Sequence, residues 1–163
     1  PERSTALKFL TGVKSGVEVS PLLSPEPGMY KYEAFMIFLA REFQRFKEHG
    51  RIFSLVLFDI KGGGNSNRLR PLSPDSVASL TRKIDLLKRP VDVFASFDVD
   101  AGHYALLLPD TDVRKSTILA RCIHQVFGLS SLNVDEKGIS VASGIAGLPE
   151  HGNDLDSLVA ASR

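Results

Sequence analysis

The sequence feature that most constrains the fold is a nearly unbroken apolar run within Arg51–Ile60, Ile-Phe-Ser-Leu-Val-Leu-Phe-Asp-Ile. Strands with one solvent-exposed face alternate apolar and polar side chains, and this run does not alternate. It is also far shorter than a membrane-spanning segment. The run therefore predicts a central β-strand that is buried on both faces, with Asp59 near its exit.

A second β pattern lies at Asp98–Pro109, which follows Val-Asp-Val-Phe-Ala-Ser-Phe. Two apolar runs flank a short polar turn that contains Gly102, as in a β-hairpin. Helical spacing and capping residues predict further elements, namely helices at 29–49, from Ser73 to Lys88, from Asp110-Thr111-Asp112 to about Phe127 and from Asn153, and a strand at Gly138–Ala146. This order predicts an α/β fold with a mixed central β-sheet flanked by helices.

Composition limits the class of protein. The 163 residues, 43% hydrophobic and 24% charged, suit one soluble globular domain. Residues 1–23 are expected to form a linker or connecting helix, and residues 24–163 the domain, with its last helix truncated and other domains on either side. The net charge of +1, with scattered basic residues, favours neither a nucleic-acid nor a membrane surface. A cytoplasmic location is expected because the sequence shows no leader and no apolar run of spanning length.

Three features that could suggest chemistry have simpler interpretations. Cys122 is the only cysteine and lies in an apolar helical pattern, which predicts a buried thiol in a reducing compartment. His124 falls off that pattern and has no histidine or cysteine at metal-binding spacing, so a solvated helix residue is expected. Lys61–Asn67 is rich in glycine, but its glycines are not followed by the lysine and hydroxyl residue that complete a phosphate-binding loop, which favours a mobile connection.

Several motifs, taken in order, resemble the GGDEF family of diguanylate cyclases. They are Phe58-Asp59-Ile60 after the buried strand, Arg89-Pro-Val-Asp92, Tyr104-Ala-Leu-Leu-Leu-Pro-Asp110 and Ser143-Gly-Ile-Ala-Gly-Leu-Pro-Glu-His-Gly152. The segment from Ser24 to Phe35 also resembles the family's opening turn and first helix, so the resemblance spans about residues 24–163. It implies the family's fold and a site at which members join two GTP molecules into cyclic di-GMP, with divalent metal held by two carboxylates.

The same resemblance implies that the reaction is lost in this chain. Asp59 matches the first metal-binding acid. When the sequence is registered on Tyr104, the signature Gly-Gly-Asp-Glu-Phe reads Asp100-Ala101-Gly102-His103-Tyr104, so that Gly102 replaces the second acid and His103 its neighbour. The two glycines are replaced by bulkier residues, and the hairpin is two residues longer than the family pattern. No complete magnesium site, no catalytic residue and no cofactor are therefore expected.

Other positions of the family's site also differ. The family's next aspartate is Lys61 here, which would repel a metal ion. Asn67 matches the asparagine that reads guanine, but its neighbour is Arg68 instead of aspartate. Weak binding or turnover of GTP at a remodelled site is an open alternative, and Asp59, Asn67 and Asp100 would have to carry it.

The motif from Arg89 to Asp92 resembles the Arg-x-x-Asp site through which many family members bind cyclic di-GMP. A guanidinium matches phosphate or a guanine edge, and a carboxylate accepts from guanine N–H groups. Arg82-Lys-Ile-Asp85 has the same spacing, and Arg89-Pro90 also suits a plain helix terminus. The sequence thus predicts a degenerate, catalytically inactive GGDEF-like regulatory domain of a bacterial signalling protein that binds cyclic di-GMP or, alternatively, serves as a scaffold for a protein partner or a homodimer.

Overall fold

The computed structural model describes residues 28–63, 69–98, 101–129 and 138–149, together with residues 157, 160 and 161, which are helical. The linker predicted at residues 1–23 and the helix start predicted at Asn153 lie outside the described residues. The elements in chain order are α1 (Tyr32–His49), β1 (Phe53–Gly63), β2 (Leu69–Arg70), α2 (Pro74–Leu87), β3 (Val93–Asp98), β4 (His103–Pro109), α3 (Val113–Leu129) and β5 (Ile139–Leu148).

Strand β1 forms the centre of the sheet, as predicted from its apolar run. It pairs antiparallel with β4 on one side and with β5 on the other, and β3 pairs antiparallel with the far side of β4. Leu55 and Val56 point to opposite faces and are both buried, which confirms a strand covered on both faces. The parallel component of the predicted mixed sheet is the isolated bridge between Tyr30 and Ala95.

Helices cover the two faces of the sheet unequally. Helix α1 packs on one face, while α2 and α3 pack side by side on the other, so the α/β fold class is confirmed. The core on the α1 face consists of Phe35, Leu39, Phe53, Leu55, Ala95, Ala105, Leu107, Ala146 and Leu148. The core under α2 and α3 includes Val56, Phe58, Ile60, Leu80, Ile84, Phe94, Tyr104, Leu106, Ile123 and Phe127.

Predicted capping residues set the helix ends. The Ser73 hydroxyl accepts a hydrogen bond from the Ser76 amide at 3.3 Å and so caps α2. The Asp112 carboxylate accepts from the Lys115 amide at 2.8 Å and caps α3 in the same way. Helix α1 ends at His49 and is followed by Gly50, whose φ of +65° is the left-handed conformation typical of a helix stop. No helix among the described ranges has the length and apolar character needed to cross a membrane.

One prediction for α3 was wrong. Cys122 is exposed, not buried, because the adjacent Ile123 faces the sheet and successive helical residues point about 100° apart. His124 is partly exposed, and its Nε2 also lies 2.9 Å from the Ser143 hydroxyl on β5. Strand β1 also runs on to Gly63, so the first residues of the predicted glycine-rich loop belong to the sheet.

Candidate functional site

The acid that matches the first metal ligand, Asp59, lies near the end of β1. Residues two apart on a strand share a face, so Asp59 and Lys61 project to the same side. The Lys61 ammonium lies 3.2 Å from each carboxylate oxygen and donates a hydrogen bond to Oδ2. The Asp59 Oδ1 atom is shielded from solvent and accepts no hydrogen bond among the described residues, so the nearby ammonium is its counter-charge.

The hairpin places its signature beside this pair. His103, at the start of β4, stands directly opposite Asp59 and is exposed. Gly102 comes close to β1, because its carbonyl accepts a hydrogen bond from the Ile60 amide at 2.8 Å. Gly102 has a φ of +76°, and a Cβ added to it would lie 2.7 Å from the Ile60 carbonyl oxygen. No side chain, acidic or otherwise, fits at Gly102 without a backbone shift.

The described residues do not fit the divalent cation that the resemblance implies. Hard cations take several oxygen ligands, and the Asp59 carboxylate already has an ammonium beside it. In the part of the chain that the structure describes, no group of three or more His, Cys, Asp or Glu residues could hold a metal ion. Asn67 and Asp100, the other predicted members of the site, lie outside the described residues.

A cavity of about 530 Å³ opens next to the Asp59–Lys61 pair. Its size is within the range of small-molecule sites. The lining is largely apolar and includes Leu57, Asp59, Phe97, His103, Ser143 and Gly144. The structure thus brings Asp59, Gly102 and His103 together at one end of the sheet. Asp59 and His103 line the cavity, and few of the described residues around it could hold a triphosphate.

The predicted ligand-binding pair, Arg89 and Asp92, lies after α2. The Asp92 side chain is 1% exposed and accepts hydrogen bonds from the Arg89 backbone amide at 2.7 Å and from its guanidinium Nη2 at 2.7 Å. Nη2 also donates to the Pro109 carbonyl and to the Thr111 hydroxyl, both at 2.7 Å. The hydrogen bond to Asp92 raises the pKa of Arg89, against the opposing effect of burial, so the guanidinium stays charged. These bonds tie the end of α2 to the turn between β4 and α3.

Both groups of the predicted site are therefore engaged within the chain. The second Arg-x-x-Asp spacing does not form such a pair: Arg82 donates to Ser79, and Asp85 lies 3.2 Å from Lys88. Sequence reasoning missed Thr111 as a partner of Arg89, since the two are 22 positions apart and no local pattern connects them. Binding of cyclic di-GMP by Arg89 and Asp92 stays a prediction.

No protein-family model matches the sequence, and no curated protein matches it. Several solved structures, however, are similar to this chain. The GGDEF domain of YfiN (TpbB) from Pseudomonas aeruginosa is 21% identical with a TM-score of 0.67, over 82% of this chain and 85% of that one. The FimX GGDEF domain from the same organism is 14% identical with a TM-score of 0.72, over 86% and 88%.

The GGDEF domain of DgcB from Caulobacter crescentus, solved in complex with cyclic di-GMP, is also similar. It is 16% identical with a TM-score of 0.64, over 85% of this chain and 86% of that one. Identities this low establish similarity of fold, and the shared fold extends over most of each chain. The chain has the fold of GGDEF domains.

Proposed function

We propose that this chain is a catalytically inactive GGDEF-fold regulatory domain of a bacterial signalling protein, which acts by binding a partner instead of converting GTP. The observation that carries the proposal is the 3.2 Å ion pair between Lys61 and Asp59. Phosphoryl transfer needs divalent metal to neutralise charge on the phosphates. An ammonium held against the first metal-binding acid opposes a metal ion at the same carboxylate.

The conformation of Gly102 supports the same proposal. In the register set by Tyr104, Gly102 takes the place of the family's second acid. Its φ of +76° and its close approach to the Ile60 carbonyl exclude a side chain there in the present backbone conformation. The loss of the second acid is thus accompanied by a backbone arrangement that suits glycine, as expected for a site no longer under the geometric demands of metal binding.

Of the two regulatory modes, the contacts of Arg89 favour a protein-interaction domain over a cyclic di-GMP receptor. A ligand that used both residues would have to separate Arg89 from Asp92, whose side chain is 1% exposed. Separation would leave a buried carboxylate without its cation, which is costly. The Arg89 side chain is 49% exposed. Cyclic di-GMP could therefore bind without breaking the pair only through a contact between its phosphate and the exposed side of the Arg89 guanidinium.

Incubation of the purified chain with GTP and millimolar Mg²⁺ or Mn²⁺ tests the proposal, with products separated by ion-exchange chromatography. We expect no cyclic di-GMP and no loss of GTP beyond the protein-free blank. Metal-dependent product that disappears in Asp59→Asn but persists in Asp85→Asn, a change at an exposed acid on α2, would overturn the proposal and favour turnover at a remodelled site.

A further inference from the structure

The outer surface of helices α2 and α3 carries prominent exposed aliphatic side chains. Leu86 on α2 is 86% exposed and Ile118 on α3 is 56% exposed. Each points away from the sheet, since Ile84 on α2 and Ile123 on α3 are the residues that fill the core. Aliphatic side chains this exposed gain little burial from the fold of the domain.

Leu86 lies near the C-terminal end of α2, and Ile118 lies near the N-terminal end of α3. Arg89, just after α2, donates hydrogen bonds to Pro109 and Thr111, which immediately precede α3. The last turn of α2 and the first turns of α3 are therefore neighbours. Leu86 precedes the C-cap of α2 by two residues and Ile118 lies in the second turn of α3, so the two side chains stand at about the same level on adjacent helices.

Cations surround this pair of aliphatic residues. Arg82 lies one turn before Leu86, while Arg114 and Arg121 lie about one turn before and after Ile118. Helix α3 contains three cationic residues and no acid, and two of them are in its first turn, where the helix dipole disfavours positive charge. We define the α2–α3 surface as Arg82, Leu86, Arg114, Lys115, Ile118 and Arg121.

The four cations of the α2–α3 surface have no counter-charge among the residues that the structure describes. None of them forms an ion pair with any residue in the described ranges. By contrast, Arg89 and Lys88, at the end of α2, pair with Asp92 and Asp85. A central apolar pair within a charged rim is the usual organisation of a protein-binding surface.

We infer that the α2–α3 surface binds an acidic segment of a protein partner, whose apolar side chains cover Leu86 and Ile118 and whose carboxylates face the cations. The inference rests on the proposed function, because an interaction domain requires such a surface. An anionic membrane fits less well: interfacial insertion needs a continuous apolar face, and here two aliphatic side chains stand among charges.

Selection from a random peptide library displayed on phage, against the whole chain, tests the inference. Enriched peptides should combine acidic with aliphatic or aromatic residues. Synthetic copies, titrated by fluorescence anisotropy, should lose at least tenfold in affinity in the double variant Leu86→Ser/Ile118→Ser and in Arg114→Gln/Lys115→Gln. Affinity should also fall as salt is raised.

Leu69→Ser is the matched control. It removes an aliphatic side chain that is 56% exposed on β2, and it should leave peptide affinity unchanged.

All substituted positions are exposed, so equal melting temperatures of the variants would show that a lost affinity is not a lost fold. The inference is overturned if no peptide is enriched, if enriched peptides bind both double variants as well as the parent chain, or if the chain instead sediments with phosphatidylserine-containing vesicles. The GTP assay tests the proposed function independently of this surface. If the chain converts GTP and still binds the peptides, only the proposed function is contradicted. If it neither converts GTP nor binds peptides, only the inference about the α2–α3 surface is contradicted.

Discussion

Lys61 and Asp59 lie side by side on strand β1, with the lysine ammonium 3.2 Å from the carboxylate. Their contact follows from the chain itself, since residues two apart on a strand share a face. The resemblance to GGDEF proteins implies an acid at residue 61, which would add a second carboxylate on the same side. Residue 61 of this chain is a lysine, and in the proposed function its ammonium supplies the positive charge that a metal ion would bring to Asp59.

Replacement of Lys61 by aspartate should create a site at which divalent metal binds and raises the stability of the chain. Lys61→Asp would place two carboxylates on one face, and Mn²⁺ would relieve their repulsion. Ligand linkage gives a stabilisation of about 1.4 kcal/mol at ten times Kd. Thermal unfolding with and without Mn²⁺ measures the effect, and Lys61→Asn is the matched control. The same Mn²⁺ response in both variants would show that residue 61 does not govern the site.

A side chain at Gly102 should destabilise the hairpin. Gly102→Ala combines a positive φ of +76° with a Cβ 2.7 Å from the Ile60 carbonyl oxygen, and we expect a loss of about 2–3 kcal/mol in the free energy of unfolding. Gly50→Ala isolates the backbone effect, because Gly50 has a φ of +65° and open space around its Cβ position; its cost should be about 1 kcal/mol. Urea unfolding compares the two, and equal losses would argue against the close contact with Ile60.

Asp92 should matter for stability even though its sequence motif suggests a ligand site. Asp92→Asn removes the charge that holds the Arg89 guanidinium and backbone amide, and we expect a loss of about 1.5–3 kcal/mol in the free energy of unfolding. Asp85→Asn, at the acid of the second Arg-x-x-Asp spacing, should cost less than about 0.5 kcal/mol because that side chain is exposed. If urea unfolding gave the two variants equal stability, Asp92 would not have the structural role assigned to it.

Cyclic di-GMP should show no micromolar binding to the parent chain. The physical reason is that Arg89 and Asp92 already satisfy each other, and a ligand would have to compete with that pair. Isothermal titration calorimetry measures the binding directly. Micromolar binding that Arg89→Ala abolishes would establish the receptor alternative in place of the interaction domain.

The features that were predictable from sequence depend on local patterns. The apolar run of β1 predicted a strand buried on both faces, and Ser73 and Asp112 cap helices as their positions suggested. The prediction of a buried Cys122 was wrong for a local reason as well. Cys122 and Ile123 both belong to a wide apolar stripe on the helix, and the rotation of the helix against the sheet decides which of them is buried.

The features that were not predictable depend on contacts between distant residues. Arg89 reaches Pro109 and Thr111 only because the hairpin returns the chain to the end of α2. The tight approach of Gly102 to Ile60 likewise depends on the register between β1 and β4. The sequence alone could identify Arg89 and Gly102 as notable positions, but their partners are set by the folded sheet.

Direct titration of Mn²⁺ into the parent chain, followed by the loss of the free-ion signal in electron paramagnetic resonance, tests most sharply whether the lysine ammonium takes the place of a metal at Asp59. We predict that Mn²⁺ stays free at millimolar concentration and that Asp59→Asn gives the same titration curve. Binding of Mn²⁺ in stoichiometric amount to the parent chain, lost in Asp59→Asn, would contradict the assignment of Lys61 as the counter-charge of this site.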